Sequence, residues 1–174
     1  MPPIITPRLL LLPADVQTCE ASFAGMDELS QHLNIQLPAT IDLGYGAEPF
    51  RYTYDKLKSN PGDSIWWMLY LFIHPSDRTL AGMGGYKGPP DEQGMVEIGY
   101  QIYEPYRHRG LATEGAQGLI SQAFGHPVVQ IVQAHTLAEE NASVRVLKKC
   151  GMVFTGAFDD PDDGPVWQWQ LPRS

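Results

Sequence analysis

The sequence is short of positive charge, of cysteine and of long apolar runs, and each shortage removes a class of function. Its 12 Lys and Arg residues face 20 Asp and Glu, a formal net charge of −8, which repels nucleic-acid phosphates and anionic membrane surfaces. No nucleic-acid partner is expected. The two cysteines, Cys19 and Cys150, lie far apart and outside any zinc or redox spacing, so both read as reduced thiols and no metal is expected. Leu9 to Leu12 form a run of only four leucines between Arg8 and Pro13, too few for a signal core or a membrane span. The expectation is a soluble, cytoplasmic protein with no membrane association.

What the chain does hold is enough apolar content for one core. At 174 residues, with 43% hydrophobic and 18% charged, it reads as a single folded domain over the whole length. "RLLLL" predicts a first strand, and "PADVQTCEASF" a helix with Val16, Cys19 and Phe23 on one side. "GMDELSQHLN" predicts a second helix, "LPATIDLGYGAEP" an irregular connection, and "FRYTYDKLKSN" a short helix stopped at Pro61-Gly62. Three runs dense in aromatic and aliphatic residues follow, "IWWMLYLFI", "TLAGMGGYKG" and "MVEIGYQIY". They predict a three-strand meander. Ala112, Ala116, Leu119, Ile120, Ala123 and Phe124 then make a helical stripe in which Gly115 and Gly118 permit close packing. "PVVQIVQAHT" predicts a strand, "NASVRVLKKC" a short helix, and "GMVFTGAF" and "VWQWQL" the last two strands. The fold class is α/β (α+β): a single mixed, mostly antiparallel sheet with helices on both faces.

Between the third strand of the meander and the long helix stands "EPYRHRG". A helix has unpaired N–H groups in its first turn and the positive end of its dipole there, so an anion is the natural occupant. Gly110 allows a close backbone approach, Ala112 is small, and Arg107 and Arg109 add charge at the rim. The expected ligand is a phosphate or pyrophosphate. The segment lacks the Gly-Lys-Ser/Thr ending of a Walker A loop and the three-glycine dinucleotide fingerprint. Flavin and nicotinamide oxidoreductases drop out with it.

"EIGYQIYEPYRHRGLATEGAQGLI" followed by "ENASVRVLKKCGM" resembles the GNAT superfamily of CoA-dependent acyltransferases, in the branch related to ribosomal-protein N-terminal acetyltransferases. That family marks its cofactor loop with Arg or Gln, two variable residues, Gly, one variable residue and Gly or Ala, matched here by Arg107, Gly110 and Ala112. The resemblance runs from about Thr79 to Phe158, weakens back to Arg8 and nearly vanishes from Gly25 to Asn60. It implies acetyl-CoA as co-substrate. It also implies that the pantetheine arm takes main-chain hydrogen bonds from Ile102 and Tyr103 where two parallel strands part, and that His108, Arg109, Gly110, Leu111, Ala112 and Thr113 hold the pyrophosphate. Relatives often carry Asn three residues before the Ser of the last helix, a slot that here holds Glu140, with the asparagine one place later at Asn141. Asn141 stands between a cofactor contact and a local helix cap.

Acyl transfer to an amine needs a base for the amine, polarisation of the carbonyl oxygen and a proton for the leaving thiolate. Glu97 is the base to expect: strand alternation places it with Gly99 and Gln101 on one face, away from Val96, Ile98, Tyr100 and Ile102. The family often puts a tyrosine acid in the last helix, where this sequence has Leu147, so Ser143 is the nearest hydroxyl and the acid is left open. His135 in its strand reads as a hydrogen-bonded structural residue, and His32, His74, His108 and His126 share no metal spacing. One tryptophan of Trp66 and Trp67 should point outward by alternation, free to line an acceptor pocket. The expected partner is an amine-bearing acceptor, a small molecule or a protein N-terminus. A non-catalytic CoA-binding sensor or interaction domain is the alternative. "VWQWQL", read as an exposed aromatic strand, would support a homodimer.

Overall fold

The structure is a computed structural model and describes residues 1–38, 48–161 and 164–174. In chain order its elements are β1 (Ile4–Ile5), β2 (Leu10–Ala14), α1 (Val16–Ala24), α2 (Met26–Leu33), α3 (Glu48–Ser59), β3 (Leu69–His74), β4 (Thr79–Tyr86), β5 (Met95–Ile102), α4 (Leu111–Phe124), β6 (Ile131–Leu137), α5 (Ala142–Lys149), β7 (Val153–Asp160) and β8 (Gly164–Pro172). One sheet takes the strands in the order β1-β2-β3-β4-β5-β6-β8-β7. Every neighbouring pair is antiparallel except β5 and β6. The predicted mixed sheet is the one observed. The irregular connection expected before α3 lies mostly outside the described residues.

Local chemistry sets the boundaries. Asp15 starts α1 by accepting the Thr18 N–H at 2.8 Å, and Asn34 ends α2 in the left-handed conformation. Pro61 opens a 3₁₀ turn over Pro61–Trp67, because proline fixes φ at a helical value and gives up an N–H that a first turn does not need. The predicted strand "IWWMLYLFI" therefore begins only at Leu69. Trp66 is drawn inward, with Tyr86 and His126 edge-on to its ring at 5.2 and 5.1 Å. The two tryptophans do part company, but through a tight turn and not through strand alternation.

Alternation along β3 supplies both cores. Leu69, Leu71 and Ile73 join Cys19, Leu29 and Phe50 beneath α1, α2 and the start of α3. Tyr70 and Phe72 join Val96, Ile98, Leu111 and Leu119 beneath α4 and α5. Burying a side chain such as Phe72 contributes roughly 2–3 kcal/mol before chain entropy is set against it. Phe72 also explains Gly115, since a Cβ there would come within 2.5 Å of the Phe72 ring. Both cysteines are free, and burial pushes the Cys19 thiol up to about 12 and the Cys150 thiol up to about 11.

Two features of the sheet matter for function. The parallel ladder between β5 and β6 has three residue pairs, Met95 with Ile131, Val96 with Val132 and Glu97 with Gln133. Beyond them β5 follows β4 and β6 follows β8, each obeying the twist of its antiparallel partner. The strands diverge immediately after Glu97. The second feature corrects an expectation: "VWQWQL" belongs to β8, which lies inside the sheet between β6 and β7. Trp169 is buried and donates to Thr136 Oγ1 at 3.2 Å. The edge strand β7 instead exposes three apolar side chains, Val153, Phe154 and Phe158. Among the described residues no helix is long and apolar enough to cross a membrane.

Candidate active site

The turn before α4 is built from left-handed backbone. His108 has φ of 61° and Gly110 has φ of 78°, so the chain doubles back sharply and α4 starts at Leu111 with no side-chain cap on its first N–H groups. The first intrahelical bond is Glu114 N–H to the Gly110 carbonyl at 3.2 Å. The donors of Leu111, Ala112 and Thr113 precede that bond in the helix, which gives an oxyanion a place to sit. His108, Arg109 and Gly110 are exposed, Ala112 and Thr113 half-buried, and Leu111 anchors the helix in the core.

The flanking arginines do more than lend charge. Arg107 donates through Nε to the Ile102 carbonyl at 3.0 Å, which ties the turn to the end of β5. Arg8 holds the turn from the other side: its Nη1 donates to the Arg109 carbonyl at 2.8 Å, and its Nε and Nη2 reach Glu114 Oε2 at 2.8 Å each. Glu114 also accepts from Thr6 Oγ1 and the Arg8 N–H. Burial pushes the Glu114 carboxyl up, but those hydrogen bonds and the Arg8 charge outweigh it and hold the pKa below the usual carboxylate value. Arg8 and Glu114 carry no sequence signal beyond their types.

The opening between β5 and β6 presents main-chain groups. The Lys87 N–H donates to the Glu97 carbonyl and the Tyr103 N–H to the Ala81 carbonyl, both at 2.9 Å, so by antiparallel alternation Ile102 points its N–H and carbonyl away from β4. Ile102 keeps an N–H directed to the opening. Tyr103 does not, because its N–H is taken by Ala81 and its carbonyl by the Tyr106 N–H. A main-chain contact from Tyr103, as expected from the sequence, would have to use the second lone pair of its carbonyl.

Glu97 occupies the last paired position of β5, where the strands part. Its carboxylate is in ion-pair contact with Lys87 Nζ and accepts from His135 Nδ1 at 2.9 Å. A neutral imidazole that donates through Nδ1 carries its lone pair on Nε2, and this Nε2 is buried with no hydrogen-bond partner among the described residues. Phe158 packs edge-on to the ring at 5.1 Å. Sequence reading gave His135 a structural place; the parallel register brings it to Glu97. Asn141 does cap α5, accepting the Val144 N–H at 3.1 Å. Ser143 is exposed in the first turn of α5.

Two cavities meet here. A small one of about 120 Å³ lies in the opening, lined by Glu97, His135, Ser143 and Leu147 with Lys87, Gly99 and Tyr100 among others. A larger one of about 580 Å³ lies between α3, the end of the 3₁₀ turn and the strands β3 to β5. Lys87, Gly99 and Tyr100 line both. The Tyr100 hydroxyl is buried without a partner among the described residues, and burial pushes its pKa up.

An anion turn at a helix start, set beside a sheet opening with a carboxylate at its apex, suits a phosphorylated carrier whose reactive end lies near Glu97. The uncharacterized N-acetyltransferase YjdG of Bacillus subtilis (strain 168) is 27% identical over 152 residues, covering 85% of this chain and 88% of that protein. The ribosomal alpha-N-protein acetyltransferase RimL in complex with coenzyme A superposes with a TM-score of 0.70 at 15% identity, covering 98% of this chain and 97% of that one. The microcin self-immunity acetyltransferase MccE in complex with acetyl-CoA and AMP gives 0.68 at 10% identity, over 96% of this chain and 93% of that one. At such identities these two structures speak to the fold. Residues 8–153 match the family described as Acetyltransferase (GNAT) domain, and the chain belongs to that family.

Proposed function

We propose that this protein is an acetyl-CoA-dependent N-acetyltransferase that acetylates a primary amine by direct attack, in the branch related to ribosomal-protein N-terminal acetyltransferases. The observation that carries the reading is the junction of the left-handed turn at His108 and Gly110 with the opening after Glu97. Acetyl-CoA supplies the activated thioester. Leu111, Ala112 and Thr113 meet its pyrophosphate through their N–H groups with Arg109 at the rim, and the Ile102 N–H meets the pantetheine arm. Arg107 positions the turn through Ile102.

The amine nitrogen forms a bond to the acetyl carbon as the C–S bond breaks. Glu97, acting with His135, takes the proton that the nitrogen loses, and Lys87 keeps the carboxylate fixed between them. Ser143, at the mouth of the small cavity, offers its hydroxyl as a hydrogen bond to the departing thiolate, which takes up the proton that the amine has given to the Glu97–His135 pair. Tyr100 is a second hydroxyl in the same cavity. A cofactor contact from Asn141 would use its side-chain N–H₂, since its oxygen serves the helix.

Calorimetric titration with acetyl-CoA tests the reading. Micromolar affinity, about −8 kcal/mol, is expected for the wild type, with loss of binding in Gly110→Glu, where a carboxylate enters the anion turn. No binding to the wild type would end it. Binding with no turnover of any amine would leave a CoA-binding sensor, the reading that Leu147 favours by filling its side of the small cavity without a proton to give.

A further inference from the structure

The larger cavity has a chemical character that its position alone does not require. Its walls include Pro49, Tyr52, Trp67, Met68, Leu69 and Met83, and among the described residues its only charged side chain is Lys87. No carboxylate lines it among those residues. A second ammonium group, Lys56 Nζ, sits 4.4 Å from the centre of the Trp67 ring and 5.3 Å from that of Tyr52. A polycationic acceptor would shed its hydration here beside the Lys87 ammonium, with no carboxylate in the chamber wall among the described residues to offset the loss. An apolar group would gain the burial of the surface it lays against these walls. About 580 Å³ falls within the range of roughly 300–1,000 Å³ usual for sites that enclose a small organic group.

Gly99 provides an independent observation. At Gly84 a Cβ would lie 2.7 Å from the Gly99 carbonyl, and at Gly85 it would lie 2.6 Å from the Met68 carbonyl, so the packing of neighbouring backbone demands glycine at both. At Gly99 an added Cβ meets only Lys87 Cε, at 3.9 Å, and the backbone there is not left-handed. The fold tolerates a side chain at position 99. Yet this residue lines both cavities, on the same strand as Glu97 and two residues beyond it. A side chain would stand in the passage from the apolar chamber to the carboxylate.

From these features we infer that the acceptor is a primary amine on a bulky, uncharged aromatic or branched-aliphatic group, which fills the chamber between α3 and β3 to β5 while the amine reaches across Gly99 to Glu97 and His135. This rests on the acetyltransferase reading. The transfer is balanced as above: the new C–N bond replaces the C–S bond, the amine proton goes to the Glu97–His135 pair and the thiol leaves protonated. Two sources share this chemistry, free arylalkyl or branched alkyl amines and peptides whose first residue is aromatic or branched.

The experiment measures thiol release from saturating acetyl-CoA with phenethylamine, isoamylamine, phenylalaninamide, tetrapeptides beginning in Phe or Leu, glycinamide, ethylamine and spermidine. Acetyl-CoA affinity is measured in parallel by calorimetry. The bulky amines are expected to exceed glycinamide, ethylamine and spermidine at least tenfold in kcat/KM, and the ranking of peptides against free amines identifies the source. Gly99→Val is expected to lower kcat/KM for the bulky amines at least tenfold, with the dissociation constant for acetyl-CoA and the Tm unchanged. Preference for spermidine or ethylamine, or full activity of Gly99→Val on the bulky amines, overturns the inference while acetyl transfer stands. Should acetyl-CoA bind and no amine react, titration of phenylalaninamide into the CoA-saturated protein decides it, binding supporting the chamber's role and its absence refuting it. Failure to bind acetyl-CoA removes both readings together.

Discussion

The turn before α4 and the apolar chamber beneath α3, the two ends of the proposed site, are made of different material. The turn offers main-chain N–H groups from a backbone that doubles back at His108 and Gly110, while the chamber offers the side chains of Tyr52, Trp67, Met68 and Met83. Main-chain recognition asks for a glycine at a left-handed position and small or positively charged neighbours, and so writes a short, repeatable signature. A wall of side chains can be assembled from many residues in many orders. On the proposed reading, the first end is fixed in its ligand and the second is free to set the acceptor.

Glu97 stands where the two ends meet, and replacing it should have the largest effect. Glu97→Gln is expected to lower kcat by about 10²–10⁴-fold with acetyl-CoA affinity unchanged; an unaltered kcat would move the base off this strand. Glu114→Gln attacks the scaffold of the turn and should cost about 2–3 kcal/mol of stability by breaking a charged hydrogen-bond cluster, read by denaturant unfolding. Because the folded-state pKa of Glu114 lies below its ordinary value, its contribution is present above about pH 4.3 and is lost as pH falls through the folded pKa. The wild type should accordingly lose more Tm between pH 6 and pH 3 than the variant does, and parallel losses would show that the cluster is not the source.

Trp67→Ala tests the chamber by itself. It should reduce kcat/KM for the acceptor about tenfold, in line with the loss of one aromatic contact, while calorimetry with acetyl-CoA is unchanged. A matching loss of acetyl-CoA affinity would mean that the two ends are not separable. The smallest effect belongs to Asn141→Ala, which removes the cap of α5 and should cost about 1 kcal/mol. A change in acetyl-CoA affinity beyond that destabilisation would assign Asn141 a direct contact as well.

The contrast also accounts for what sequence reading could reach. The β3–β4–β5 meander and α4 were legible because their hydrophobic periods and turn residues are local, and the anion turn because Arg107, Gly110 and Ala112 stand at fixed spacing. The pairing of Glu97 with His135 was not, since it depends on β5 and β6 lying parallel in one register, with Glu97 beside Gln133. That the Tyr103 N–H is committed to Ala81 was hidden for a related reason: which strand residues turn their N–H toward β4 is set by the register of the antiparallel pair. Trp67 reached the chamber through a 3₁₀ turn that reads locally as strand. Arg8 and Glu114 meet across more than a hundred residues, beyond any local pattern.

The three residue pairs that join β5 to β6 have a mechanical meaning. They weld a plate of five strands, β1 to β5, to a plate of three, β6, β8 and β7, whereas within each plate most of the long strands are laddered over five residue pairs or more. That weld is the shortest ladder between any two of the long strands. A carrier lying in the gap would donate and accept on both plates at once and act as the missing rungs, so that loading it stiffens the whole sheet. Slower deuterium uptake would then extend to strands the carrier never touches.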